Sequence, residues 1–190
     1  MRRELLRKLI HLATLTAPVL IWLLPEPYGL LLLAAAVAVA IAVEVARRRS
    51  RWFRFHFLKR SRPLLRHHER RGLAGATHLA IAYLLALLLF PKPIAILAML
   101  YGGAGDAVAA LVGKRWGSHR TRWGKSWEGA TAALFTNVAL GLAMPAIPPL
   151  AALLGGAVAA AIEFLPIPID DNLRVSLGGG AALWVAMLVA

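Results

Sequence analysis

The 190-residue chain contains no cysteine. That excludes a disulfide framework, a thiolate nucleophile and a cysteine-ligated metal centre. Acids are also scarce: Asp and Glu number 9 against 22 Lys and Arg, and charged residues of both signs reach only 16%. Soluble domains carry roughly 25% charged residues, so this chain lacks the polar groups that a wholly water-facing surface needs. What it has instead is 59% hydrophobic residues and a mean hydropathy of +0.66. The expected fold is an all-α polytopic membrane protein, with residues 1–190 forming a single membrane-embedded domain.

A bilayer core asks for about 20 apolar residues per helix, with about 17–25 tolerated. Seven stretches meet or approach that length: 5–24, 28–46, 73–90, 92–113, 128–147, 149–165 and 173–190. Prolines punctuate three of the joints, at Pro25 and Pro27, Pro91 and Pro93, and Pro145, Pro148 and Pro149. The basic N-terminal run could also begin a signal peptide. No small-residue cleavage site precedes Pro25, however, and further spans follow, so it is read as the first span.

A net charge of +13 could point to nucleic acid, so placement has to decide. Four cations precede or open the first span, eleven lie in 47–72, five in 114–127, and Arg174 begins the last span. Only Lys92 lies in the proline turns. The positive-inside rule then puts the N-terminus in the cytoplasm and, with seven spans, the C-terminus outside. The 47–72 loop interleaves cations with Trp52, Phe53, Phe55, His56 and Phe57, a mixture that can stack on single-stranded nucleic acid. Between two spans it reads better as an interfacial element on anionic lipid headgroups, of unassigned conformation, and no nucleic acid partner is expected.

The acids carry the chemistry. Asp106 follows Gly102, Gly103 and Gly105 inside the fourth apolar stretch. A carboxylate at that depth is costly unless it pairs or binds something, and the glycines permit a helix break or a close backbone approach. Packing of the helix, with Asp106 in a salt bridge, is the competing reading. Glu4, Glu44, Glu128, Glu163, Asp170 and Asp171 all fall at ends of spans on the expected cytoplasmic side. Carboxylates beside many cations suit Mg²⁺, or another divalent cation, with a polyphosphate. Pairing with neighbouring arginines explains Glu4 and Glu44 equally well.

The 114–127 loop, with Lys114, Arg115, Arg122, Gly124, Lys125 and Ser126, leads into the helix that starts at Trp127 and Glu128, whose amides could face an anion. Its Gly-Lys-Ser triplet lacks the earlier glycine and the parallel-sheet context of a P-loop, which is rejected. His11 lies one helical turn after Arg7 and Lys8 and could meet phosphate or shuttle a proton. The other histidines have no metal-binding spacing, and His78 is read as bonded to a helix neighbour.

Taken in order, these motifs resemble the dolichol kinase, phytol kinase and CTP-dependent diacylglycerol kinase group, relatives of the phosphatidate cytidylyltransferases. The resemblance rests on Arg7-Lys8-x-x-His11, Glu44, Glu69 to Thr77, Gly105-Asp106-Ala107 through Gly113 and Gly117, Lys125 to Gly129, Glu163 and Asp170-Asp171-Asn172-Leu173. Ser176 stands where that family usually has proline. The resemblance implies a kinase moving the γ-phosphate of CTP to a membrane lipid alcohol: a polyprenol, a phytol-like isoprenoid alcohol or diacylglycerol. It implies catalytic roles for Asp106, Asp171 and Lys125. Nucleotide contacts would come from Arg7, Lys8, His11, Gly105, Lys114, Lys125, Ser126 and Asn172. Metal contacts would come from Asp106, Glu128, Glu163, Asp170 and Asp171.

Two alternatives compete. A cytidylyltransferase would make a CDP-lipid, but its glycine- and histidine-containing signature before an Asp-Arg-x-Asp run is missing. A transporter would extend polar groups toward the far side, where the first two spans supply almost none. Small residues at Gly155-Gly156 and Gly178-Gly179-Gly180 leave room for an oligomer.

Overall fold

The computed structural model describes residues 13–61, 69 and 72–189; Arg7, Lys8 and His11 lie outside them. The described residues form helices and connecting turns, with one isolated antiparallel bridge between Arg120 and Ser126. In chain order the helices are α1 (Thr16–Leu23), α2 (Glu26–Arg49), α3 (Arg51–Ser61), α4 (Gly75–Leu89) and α5 (Lys92–Leu100). A π-helical turn (Tyr101–Gly105) follows, then α6 (Asp106–Arg115), α7 (Trp127–Leu142), α8 (Pro149–Phe164) and α9 (Asp171–Val189).

Three helical stretches are long and apolar enough to cross a membrane: Glu26–Arg49, the continuous Lys92–Arg115 and Asp171–Val189. At 1.5 Å per residue the first two reach about 36 Å, more than the roughly 30 Å of a bilayer core. Gly75–Leu89 and Pro149–Phe164 are apolar but shorter. The prolines act as expected. Pro27, Pro93 and Pro149 sit in the first turns of α2, α5 and α8, where a missing N–H costs nothing. Lys92 Nζ, on the side poor in cations, donates to the Leu24 carbonyl at 2.7 Å and ties two proline turns together.

The centre of the bundle is α5, with Ile94 through Met99 all buried. Helix α9 packs on α4, α5 and α8, while α7 lies between α6 and α8. Outward-facing Leu31, Val39, Phe135, Val185 and Leu188 stay exposed, as apolar side chains of a lipid-facing surface do.

The basic segment after α2 is a short helix. Ser50 ends α2, and its Oγ accepts from Phe53 N at 3.2 Å to start α3. Phe53 and Phe57 stack with centroids 6.1 Å apart, and the Arg47 guanidinium sits 5.7 Å from the Phe57 ring. Trp52 and Phe55 stay exposed. Arg47 and Glu44, both buried, pair directly. Glu44 accepts from Ala74 N at 2.8 Å and Thr77 Oγ1 at 3.3 Å, at the start of α4. Arg47 donates to the Glu69 carbonyl at 2.9 Å and the Gly72 carbonyl at 2.5 Å. The two readings of Glu44 thus resolve to a clamp that joins α2 to the entry of α4.

Candidate functional site

The glycine-rich approach to Asp106 neither breaks the helix nor leaves it regular. Residues Tyr101–Gly105 widen into a π turn, a device often found at functional positions. The glycines admit side chains from other helices. A Cβ on Gly102 would lie 2.2 Å from Ser176 Oγ, and one on Gly105 would lie 2.3 Å from Asn137 Oδ1. Both partners are fully buried, and their side-chain polar atoms have no hydrogen-bond partner among the described residues. Asp106, the next residue, is itself buried.

Past α6 the chain turns through a tight loop. Gly124 takes φ +85°, a left-handed conformation that glycine adopts without strain. Thr121 N donates to the Lys125 carbonyl at 2.8 Å, and Arg120 donates to the Gly113 carbonyl at 2.7 Å. Ser126 Oγ then accepts from Gly129 N at 3.1 Å and caps α7. Glu128 turns back onto the loop, taking Ser118 Oγ and His119 Nδ1 at 2.8 Å each. These bonds fix Lys125 in the wall of a cavity of about 210 Å³ between α6, α7, the end of α8 and the start of α9.

Asp106, Lys114, Lys125, Ser126, Glu163 and Asp171 all line that cavity, together with Arg120 and Phe164. Lys125 Nζ lies 3.1 Å from Glu163 Oε1 and 3.9 Å from Asp171 Oδ2, so one ammonium faces two carboxylates from different helices. The structure therefore gathers six of the residues singled out in the sequence from four separate segments.

The remaining expected site residues among those described stand elsewhere. Asp170 caps α9, accepting from Asn172 N and Nδ2 at 3.0 Å each, with its other oxygen 3.5 Å from His78 Nδ1. Asn172 also donates to the Gly75 carbonyl at 3.3 Å, stitching α9 to α4. Glu128 holds the loop, and Gly105 is closed off by Asn137. None of these four lines the cavity.

Sequence reasoning treated Arg174 as a topological charge only. It is buried, and it donates to Asp171 Oδ1 from Nε at 3.0 Å and again from a terminal nitrogen. The same guanidinium closes the end of α8 through the carbonyls of Ile162 and Leu165, the latter at 2.6 Å. One side chain thus locks the segment carrying Glu163 to the helix carrying Asp171. The i,i+3 spacing of Asp171 and Arg174 was the available signal. Arg120 and Phe164 had none beyond charge and position.

Among the described residues, no three His, Asp or Glu groups stand close enough together to hold a metal ion alone. Mg²⁺ rarely uses such a cage: it binds through one or two carboxylates, water and substrate phosphates. The hard oxygen donors Asp106, Glu163 and Asp171, facing one cavity beside cations, fit a divalent ion that arrives with a polyphosphate. No protein family, characterised protein or solved structure matches this chain.

Proposed function

We propose that this chain is a multi-pass membrane enzyme that phosphorylates a lipid alcohol with CTP, its site open to the cytoplasm. Seven spans, with the N-terminus inside and the C-terminus outside, follow from the apolar stretches and the one-sided cations. The single observation that carries the reading is the cavity that unites Asp106, Lys125, Glu163 and Asp171, with Lys114 and Arg120, at the basic end of the helices.

Phosphoryl transfer asks mainly for positioning and charge neutralisation. Lys114, Arg120 and Lys125 neutralise phosphate oxygens. Lys125 exchanges its contacts with Glu163 and Asp171 for phosphate as the nucleotide enters. Asp106, with Glu163 or Asp171, would hold the divalent ion, which when bound would supply charge compensation to the phosphates. The lipid slides in laterally and presents its hydroxyl at the interface. Its oxygen bonds to the γ-phosphorus, the β–γ bridge breaks to release CDP, and a cavity carboxylate, Asp106 or Asp171, takes the hydroxyl proton. Arg174 keeps Asp171 in place by holding one of its oxygens.

The test uses purified full-length protein in lipid nanodiscs with CTP labelled at the γ-phosphate. A panel of polyprenol, phytol-like alcohol and diacylglycerol is compared, with ATP as a second donor. Label on the lipid is the expected result. Label released as pyrophosphate would mean cytidylyl transfer instead. Ion movement in liposomes without nucleotide binding would mean a transporter.

A further inference from the structure

We propose that the aromatic ledge of Trp127, Phe164 and Trp123 at the cavity rim binds the nucleotide base by stacking, an inference that rests on the nucleotide reading above. The cavity, at about 210 Å³, is smaller than the roughly 300–1,000 Å³ of pockets that enclose a whole drug-sized ligand. It has room for the polyphosphate but not also for ribose and base. Lys114, Arg120 and Lys125 all line it, so the phosphates point inward and the base is left at the mouth.

Among the described residues, the one aromatic residue of the cavity wall is Phe164, the last of α8. Trp127 lies against it with ring centroids 4.5 Å apart, and Trp123 meets it edge-on at 6.0 Å. Trp123 Nε1 also donates to the Phe164 carbonyl at 2.9 Å, which fixes the indole. Even so, Trp127 is 61% exposed and Trp123 46% exposed. Each indole is thus anchored at Phe164 while much of its surface stays exposed, as a preorganised stacking surface requires. A planar, uncharged heteroaromatic ring is the ligand that this surface suits. Tryptophans at a membrane interface also anchor in headgroups. These two differ from exposed Trp52 and Phe55 on α3 in packing onto a wall residue of the charged cavity.

The experiment measures equilibrium binding of CTP and of inorganic triphosphate to full-length protein in nanodiscs. Trp127→Ala is expected to weaken CTP binding about tenfold, the scale of one aromatic stack, and to leave triphosphate binding unchanged. Trp127→Phe should retain CTP affinity. Equal weakening of both ligands, or of neither, overturns the proposal. A second readout does not depend on a truncated side chain. With Trp22, Trp52, Trp116 and Trp184 replaced by Phe, CTP should quench the remaining indole fluorescence and triphosphate should not. Indoles quenched by lipids with brominated chains, yet indifferent to CTP, are interface anchors, and the proposal falls. Wild type that binds CTP and triphosphate equally well defeats the stacking alone. Wild type that binds neither defeats the kinase reading with it.

Discussion

Gly105→Ala tests the packing that sets Asp106 in place. Gly105 has φ −56° and ψ −53°, ordinary helical values, so an alanine backbone fits without strain. Space is the difficulty. The new methyl would sit 2.3 Å from Asn137 Oδ1, 3.1 Å from its Cγ and 3.2 Å from its Nδ2. The amide has little room to withdraw, because Asn137 is fully buried and α8 approaches its backbone from behind at Gly156. Overpacking of this kind costs about 1–3 kcal/mol, and the better helix propensity of alanine returns up to about 1 kcal/mol. The net loss is therefore at most about 3 kcal/mol, which for a chain of this length lowers Tm by up to about 12 °C. Asn137→Ala removes the obstacle and forfeits no hydrogen bond, since neither amide atom has a partner among the described residues. The double variant should regain most of the lost stability, with a coupling of about 1 kcal/mol or more. Thermal unfolding in one detergent, followed by circular dichroism, measures all four proteins. A double variant whose losses simply add would refute the close approach.

Asp106→Asn should abolish CTP-dependent lipid phosphorylation in the labelled assay while leaving Tm and membrane insertion intact; activity retained would remove Asp106 from the site. Lys125→Met loses a charge-assisted phosphate contact of about 1.5–3 kcal/mol, so steady-state kinetics should show the nucleotide KM rising about tenfold or more, and an unchanged KM contradicts its role. Glu44→Ala leaves buried Arg47 without its carboxylate, at a cost of about 3–5 kcal/mol. It should appear as a lower Tm with nucleotide affinity unchanged in whatever protein remains folded.

The helices were legible because a long apolar run has few alternatives in lipid: its backbone groups must bond internally. Helix α1 ends at Leu23 and α2 begins at Glu26, on either side of Pro25, and the turn at Pro91 separates α4 from α5 in the same way. Helix α3 was not legible, because its aromatic and basic residues follow no single period. Its start depends on the Ser50 cap, and its inner ring, Phe57, rests beside Arg47 from the preceding helix. The glycines before Asp106 marked the right place. Whether they would open the helix or widen it depended on Ser176 and Asn137, which lie 74 and 35 residues beyond Gly102.

Motifs overstate how many of their residues reach a ligand, because successive residues at a helix start leave it about 100° apart. Asp170 and Asp171 are adjacent, yet Asp170 turns to His78 and Asn172 while Asp171 turns to Arg174 and Lys125. Ser126, Trp127 and Glu128 divide in the same way: one caps the helix, one packs on Phe164, and one fastens the loop. The residues that build work alongside those that line the cavity, since Asp170 and Glu128 help to hold the two helix starts in place. Arg174 makes the same point from the opposite direction. It lies outside every recognised motif, yet it joins the last turn of α8 to Asp171 and so fixes the spacing of two cavity carboxylates. A site built at the meeting of helix ends depends on such braces. They are found by following buried charges to their partners rather than by matching short strings.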